Sequence, residues 1–255
     1  MGPDMLQSLT ELMPGDFVPG HLVGMGAMVF IAALLQGIGG LGFAMVSAPL
    51  AVLFFPEMAP GPLLVLGAGL ALLGLLRDFD AVDWPSVTTL MAGRAGGTLL
   101  AGATLAALPT SAFSIVFALL ILAGVGLSFA GWKVRASHPN MAIAGLASGL
   151  MGTITSSGAP PFAIVMQYVP PRQMRATISC VFFAGAILSL LMLAYVDRFT
   201  LPQLWLGILL FPLMLGGFFV SGRFHRYFSP RGVRLLLLTM SGLGALGILA
   251  RTVVP

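Results

Sequence analysis

Long apolar segments dominate this chain, and its few charged residues lie almost entirely between them. Only 8% of the 255 residues are charged, against roughly 25% in an ordinary soluble domain. The mean hydropathy is +1.03. A water-soluble fold of this size has too little polar surface to cover so many apolar side chains. The composition therefore predicts a polytopic membrane protein whose outer surface contacts the lipid bilayer.

The lengths of the apolar segments set the predicted architecture, because a helix needs about twenty apolar residues to cross the hydrocarbon layer. Glycine, proline or charged residues separate ten such segments, at 21–36, 41–56, 60–77, 85–107, 111–131, 140–155, 158–170, 172–196, 202–221 and 232–250. Nothing between them resembles a soluble domain or a linker. The sequence therefore predicts an all-α fold with one transmembrane domain over residues 1–255.

The ten segments form two sets of five, at about 21–131 and about 140–250. Each set begins with two segments that are too short to cross comfortably. Pairing residue n with residue n+120 aligns Gly96, Gly97, Gly102, Gly124 and Ala130 with Gly216, Gly217, Gly222, Gly244 and Ala250 without a gap. Because five is odd, the second copy must enter from the opposite face. The pattern predicts two inverted repeats, each opening on a short broken-helix or re-entrant hairpin.

The basic residues predict the orientation. With the N-terminus outside, nine of the twelve Lys and Arg residues fall inside: Arg77, Lys133, Arg135, Arg172, Arg175, Arg223, Arg226, Arg231 and Arg234. Arg198 and Arg251 fall outside, which is the bias that cytoplasmic loops show. The sequence thus predicts a multi-pass protein of the plasma (inner) membrane with both termini outside. The same bias explains a pI near 10.0 without nucleic acid as a partner.

Two breaks interrupt the apolar pattern at corresponding places of the two sets. The first reads GIGGLGFAMVSAPL, 37–50, and we expect its helix to stop at Gln36 and restart near Leu41. The second reads GLMGTITSSGAPPFAIVMQ, 149–167. Irregular backbone survives at membrane depth only inside protein or beside a wet cavity. Paired breaks of this kind mark the binding sites of many transporters.

The breaks supply most of the predicted binding residues. Free N–H groups at the start of a helix, with the helix dipole, suit an anion. The predicted substrate-binding residues are Gln36, Gly39, Gly40 and Gly42 in the first break, and Thr155, Ser156, Ser157 and Gly158 in the second. Two alternatives stay open. Glycine also serves close helix packing, and Ser and Thr also bond to their own helix backbone.

Arg94 completes the predicted site. It lies about ten residues into segment 85–107, in LMAGRAGGTLLAG, where insertion of an arginine costs at least about 2.5–3.5 kcal/mol. A guanidinium suits an oxyanion, although snorkelling to the surface is the alternative. All eight Asp and Glu residues lie at the ends or in loops. The sequence therefore predicts an anionic substrate.

Enzymatic and metal chemistry have little support in the sequence. Cys180 is the only cysteine, and His21, His138 and His225 lie far apart without ligand spacing. We therefore predict no cofactor, no metal site and no enzyme, with an intramembrane enzyme as the weakest alternative. An anion channel and a permease for small carboxylates remain alternatives to a carrier, and the oligomeric state is left open.

The first break, GIGGLGFAMVSAPL, resembles the signature of the sulfite exporter TauE/SafE family, and GLMGTITSSGAPPF resembles it more weakly. The closing stretch 216–246 is similar to the last two helices of that family. The resemblance implies a permease for small sulfur anions such as sulfite, thiosulfate and organosulfonates. The motif positions it implies are Gly37, Gly39, Gly40 and Pro49, then Gly152, Gly158 and Pro161. The second break departs from the pattern with Ile154, Thr155 and Ser157, where the first has Gly39, Gly40 and Gly42.

Overall fold

The computed structural model describes residues 19–39, 42–224 and 230–253. Within these ranges the chain forms ten α-helices: α1 (Pro19–Gly39), α2 (Phe43–Phe54), α3 (Gly61–Arg77), α4 (Trp84–Ala107), α5 (Thr110–Phe129), α6 (His138–Thr155), α7 (Ala159–Val165), α8 (Pro171–Tyr195), α9 (Leu201–Phe224) and α10 (Pro230–Val253). Single 3₁₀ turns at Pro56–Met58 and Phe79–Ala81 flank α3. By length and composition α1, α5, α8, α9 and α10 can cross a membrane. The predicted all-helical, multi-pass character is confirmed.

The helices around the first break differ from the expected bounds. Helix α1 has 21 residues, or about 31 Å at 1.5 Å per residue, so the expectation that segment 21–36 is too short to cross is wrong. It ends at Gly39 rather than Gln36, and α2 begins at Phe43 rather than near Leu41. Gly42, which precedes α2, has a φ of 153°, a conformation that glycine adopts far more readily than other residues.

At each break, the helix that follows is shorter than the helix that precedes it. Helix α2 has 12 residues and α7 has 7, which gives about 18 and about 10 Å. Helix α6 ends at Thr155, and Ser156 follows it in the left-handed conformation with a φ of 62°. Pro160 and Pro161 lie in the first turn of α7, where a missing N–H costs nothing.

Helices α4 and α6 pack backbone against backbone. A Cβ on Gly97 would overlap the carbonyl oxygen of Leu146, and a Cβ on Gly149 would overlap that of Arg94. Gly93 and Gly145 make the same kind of contact one turn earlier on each helix. The partner numbers rise together, so the two helices run parallel. Small residues four apart allow this close approach in membrane bundles.

Helices α1 and α9 repeat this arrangement in the other half of the bundle. A Cβ on Gly217 would overlap the carbonyl oxygen of Phe30, and one on Gly37 would overlap the side chain of Ser221. The residue numbers rise together along both helices, so α1 and α9 also run parallel. Further contacts come in matched pairs, α4 with α8 and α9 with α3, then α5 with α7 and α10 with α2. Helices α3 and α8 pack on each other, as do α5 and α10.

Charged residues gather at the two ends of the bundle. Arg172 and Arg175 at the start of α8 contact Asp78 after α3. At the start of α4, Thr89 contacts His138, and Arg234 bonds to the carbonyl of Ser128 at the end of α5. At the opposite end, Arg198 bonds to the carbonyls of Leu105 and Leu108, and Arg251 bonds to that of Leu53. Of the described residues, Arg172, Arg175 and Arg234, predicted to lie inside, are thus separated from Arg198 and Arg251, predicted to lie outside. Which end faces the cytoplasm stays a prediction.

The α4–α6 contact predicts different effects for two adjacent glycines. The Gly97→Ala change should destabilise the protein by about 1–3 kcal/mol, the usual cost of overpacking, because the new methyl group meets backbone. The Gly96→Ala control places its Cβ 3.9 Å from Leu146 Cδ1 and should be neutral or slightly stabilising. Thermal unfolding in detergent measures both variants. Equal midpoints would contradict the close packing described here.

Candidate anion-binding site

A cavity of about 140 Å³ lies where the two breaks meet. Its walls are the end of α1, the start of α2, residues 156–159, Arg94, and the facing sides of α3 and α8. From the breaks it extends between α3 and α8 as far as Arg77 and Arg175. A single water needs only about 10–15 Å³ measured with a water-sized probe. The cavity therefore has room for a small anion and some water.

The fold brings six of the nine predicted binding residues to this one cavity. They are Gln36, Gly42, Arg94, Ser156, Ser157 and Gly158. Thr155 is fully buried behind the wall, and Gly39 is the last residue of α1. Gly40 lies outside the described residues. The two breaks are over a hundred residues apart in sequence, so their meeting is a result of the tertiary fold.

Gln36 changes the predicted role of the first break. Its side-chain oxygen Oε1 accepts hydrogen bonds from the backbone N–H groups of Gly42, at 2.9 Å, and Phe43, at 2.7 Å. The prediction that these N–H groups are free is therefore wrong for this structure. They are capped by a neutral amide that reaches across the break from α1.

The second break also uses its own hydroxyl groups. The N–H of Ser157 donates to Thr155 Oγ1 at 3.2 Å, and Thr155 Oγ1 donates to the carbonyl of Met151 at 2.7 Å. Ser156 Oγ donates to the carbonyl of Pro60 at 3.0 Å and so ties this break to the start of α3. Within the described residues no hydrogen bond involves Ser157 Oγ, which leaves this hydroxyl to a ligand.

Arg94 lies inside the protein, and the described residues give it no counter-charge. Arg94 is 2% exposed. Its Nη1 donates a hydrogen bond to Ser148 Oγ at 2.8 Å. The guanidinium carbon lies 5.5 Å from the centre of the Phe182 ring. Its Nε is buried and has no hydrogen-bond partner, and no carboxylate of the described residues pairs with it. A cation in this state needs an anion to offset its desolvation.

Three glycines make room for this guanidinium. A Cβ on Gly185 of α8 would overlap Arg94 Nε, Cδ and Cζ. A Cβ on Gly152 would lie 3.2 Å from Nη2, and one on Gly158 would lie 3.3 Å from Nη1. The side chain is therefore enclosed by α6, α8 and the second break. Snorkelling to the surface, the alternative for Arg94, does not occur in this structure.

A buried hydroxyl cluster holds the second break in place. Thr153 Oγ1 lies 2.8 Å from Ser189 Oγ on α8 and donates to Thr98 Oγ1 on α4 at 3.3 Å. All three residues are fully buried. These bonds join α4, α6 and α8 two residues before the break, so the position of Thr155 and Ser156 depends on all three helices.

Sequence reasoning missed three residues that contact Arg94. Ser148 gave a usable signal, because a hydroxyl within the apolar segment 140–155 needs a partner. Phe182 and Gly185 gave none, since their role depends on how α8 packs against α4. No sequence pattern specifies that packing.

An ion-pair cluster lies where the cavity reaches the end of the bundle. Asp78 is 8% exposed, and it contacts Arg77 Nε at 3.3 Å, Arg172 Nε at 3.4 Å and Arg175 Nε at 3.8 Å. Arg172 also bonds to both oxygens of Asp80, at 2.7 and 2.8 Å. Two of these three arginines line the cavity, so an anion entering from this end meets positive charge first.

The described residues contain no group of three or more His, Cys, Asp and Glu that could hold a metal ion. His225, one of the three histidines considered above, lies outside those residues. Of the described residues that line the cavity, three are arginines and none is acidic. Its chemistry suits an anion.

The chain matches the family described as Sulfite exporter TauE/SafE over residues 25–248. The protein belongs to the TauE/SafE sulfite exporter family. The resemblance seen in the two breaks is confirmed, and every cavity-lining residue lies within the matched stretch. Membership implies a membrane transporter for sulfur-containing anions. Comparisons with curated proteins and with solved structures gave no match.

The cradle around Arg94 leads to a prediction for this transporter. The Gly185→Ala change should displace the guanidinium, because the new methyl group overlaps its Nε, and so weaken anion binding at least tenfold. Gly126→Ala is the control, since nothing lies within 4 Å of its Cβ position. Thermal stabilisation of each purified variant by added sulfite or methanesulfonate gives the apparent affinity. Wild-type affinity in Gly185→Ala would show that the position of Arg94 does not matter for binding.

Proposed function

We propose that this protein is a secondary transporter, a permease that moves a small sulfur-containing anion such as sulfite, thiosulfate or an organosulfonate across the plasma membrane. The anion binds near the membrane midplane, between the two breaks. The observation that carries this proposal is the buried guanidinium of Arg94, which lines the shared cavity. Its Nε is unpartnered, and it has no counter-charge among the described residues. The proposed transmembrane domain is the whole chain, 1–255.

The charge and position of Arg94 support a negatively charged ligand and a binding site near the membrane midplane. Trp84 begins α4, so Arg94 lies about 15 Å along the helix, at 1.5 Å per residue. That is half of a hydrocarbon layer of about 30 Å. An oxyanion beside the guanidinium would accept charge-assisted hydrogen bonds, the strong class of such bonds. Ser157 Oγ adds a further possible donor.

The matched helix contacts support the inverted repeat. The helix contacts between the two sets of five given above either have a counterpart with the sets exchanged, as α4 with α6 has in α9 with α1, or join corresponding helices. In the n+120 pairing, Arg94 corresponds to Met214, which is fully buried. Both repeats line the cavity, with Arg94 from the first and Ser156 and Ser157 from the second. Rocking of such repeats around a fixed site is a common route to alternating access.

The shape of the cavity supports a carrier rather than a channel. It extends to Arg77 and Arg175, at the end that the basic residues predict to be cytoplasmic. Towards the other end, Leu63 and Leu64 are buried, Ser156 bonds to Pro60, and the Phe199 ring packs on Gly61. An inward-open carrier has this arrangement. A continuous anion path and a carboxylate cargo are the alternatives that the experiment must separate.

The Arg94→Met variant tests the proposal. It places methionine, the residue at the corresponding position 214 of the second repeat, at position 94. In proteoliposomes it should lower saturable sulfite or methanesulfonate flux at least tenfold. Its unliganded midpoint of unfolding should stay the same or rise, because removing an unpaired buried charge relieves its desolvation cost. Arg198→Met, at the end away from the cavity mouth, is the control and should keep its flux.

Several results would contradict the proposal. Normal flux in Arg94→Met would remove this residue from the site. Flux that neither saturates nor shows counterflow would favour a channel. Thermal stabilisation by acetate but by no sulfur anion would favour a carboxylate permease, since a ligand that binds the folded state raises the midpoint by mass action.

A further inference from the structure

Gln36 already occupies the place where an anion would meet the first break. The N–H groups of Gly42 and Phe43 both donate to its Oε1, and these two bonds fix which end of the amide faces α2. The amide nitrogen Nε2 makes no hydrogen bond with the described residues, although Gln36 lines the cavity. The side chain therefore blocks two backbone donors and leaves one neutral donor of its own.

The positive charge available at the depth of the breaks is small. Of the cavity-lining residues, Arg77, Arg94 and Arg175 are charged. Arg77 and Arg175 lie at the mouth, where both contact Asp78 and are 58% and 42% exposed in their side chains. This leaves Arg94 as the one cation of the described lining beside the breaks.

We propose that Gln36 makes the site selective for singly charged oxyanions. The proposal rests on the proposed function and narrows it. One guanidinium neutralises one negative charge, while Gln36 Nε2 and Ser157 Oγ donate hydrogen bonds to the remaining oxygens. A second negative charge would need the N–H groups of Gly42 and Phe43 at the positive end of α2, and Gln36 Oε1 holds them. A sulfonate or hydrogen sulfite should therefore bind better than sulfate or thiosulfate.

The walls of the cavity favour the same class of ligand. Met45, Leu64, Ile178 and Phe182 give it an apolar lining beside the polar groups. An alkyl group on the sulfur atom can lie against these side chains. A second charged oxygen in that position would lose its hydration without a partner, which is costly in an apolar environment.

Methanesulfonate and sulfate are a matched pair for the test, since both are small tetrahedral anions and differ by one methyl group and one charge. The wild-type protein, assayed by thermal stabilisation over a range of anion concentrations at neutral pH, should bind methanesulfonate at least tenfold more tightly. Gln36→Ala frees the two N–H groups and should reduce that ratio at least fivefold, mainly by improving sulfate binding. Gln167→Ala, whose side chain bonds to Trp132 and Ile164 carbonyls and does not line the cavity, should keep the wild-type ratio.

Gln36→Glu covers the case in which Gln36→Ala does not fold. A carboxylate can still cap Gly42 and Phe43, so its midpoint should match or exceed that of the wild type. Its negative charge offsets Arg94 and removes the amide donor, so both anions should lose at least tenfold in affinity. Unchanged methanesulfonate binding in Gln36→Glu would overturn the inference, as would an unchanged ratio in a folded Gln36→Ala.

Two further outcomes separate this inference from the proposed function. Equal binding of both anions by the wild type would overturn the charge selectivity and leave the sulfur-anion transporter standing. Failure of the wild type to bind methanesulfonate, sulfite, thiosulfate or sulfate would overturn both.

Discussion

The central constraint in this structure is a guanidinium held inside a membrane protein without a carboxylate of the described residues to pair with it. Arg94 keeps one bond to Ser148 and a contact with the Phe182 ring, while its Nε has no partner. Burying such a charge without a partner destabilises the protein. Three glycines, Gly152, Gly158 and Gly185, leave the space that the buried side chain occupies. Strain of this kind is typical of positions retained for function rather than for stability.

The two helix breaks meet their hydrogen-bonding needs from within. Lipid offers no partners, so each break needs protein or water for its exposed backbone groups. Gln36 serves the first break and Thr155 the second. In both, a side chain from the helix before the break accepts from the backbone after it. Among the described residues that line the cavity, Arg94, Ser157 Oγ and Gln36 Nε2 stay available to a ligand.

The two halves of the bundle share the same helix packing but differ in where their polar residues lie. Parallel glycine-rich packing joins α4 to α6 and α1 to α9. Yet Arg94 and Ser148 lie on the first of these pairs, and the n+120 pairing gives Met214 as the counterpart of Arg94 on the second. Thr98 and Thr153 of the hydroxyl cluster also lie on the first pair, and Ser189 joins them from α8. The cavity combines Arg94 with apolar side chains from both halves, which suits an anion with a small apolar group.

Much of the fold followed from the sequence, because lipid makes hydropathy a strong guide. Each of the ten predicted segments corresponds to a helix in the described ranges. The breaks, the unpaired Arg94 and the separation of basic residues to the two ends could be read from the chain. The bounds at the first break could not, since α1 continues through Gly37 to Gly39. Glycine lowers helix propensity, but tertiary packing against Ser221 and Phe218 keeps this turn helical.

The sequence by itself determined the class of the protein, its helices, its candidate anion-binding residues and its family resemblance. The tertiary structure decided which of those residues share a cavity and what each one does there. Gln36 was predicted to bind substrate beside free N–H groups, and the fold instead uses its oxygen to cap them. Ser148, Phe182 and Gly185 surround Arg94 only because α6 and α8 pack against α4. Composition and periodicity act along the chain, whereas a binding site depends on distances between residues that the chain brings together from far apart.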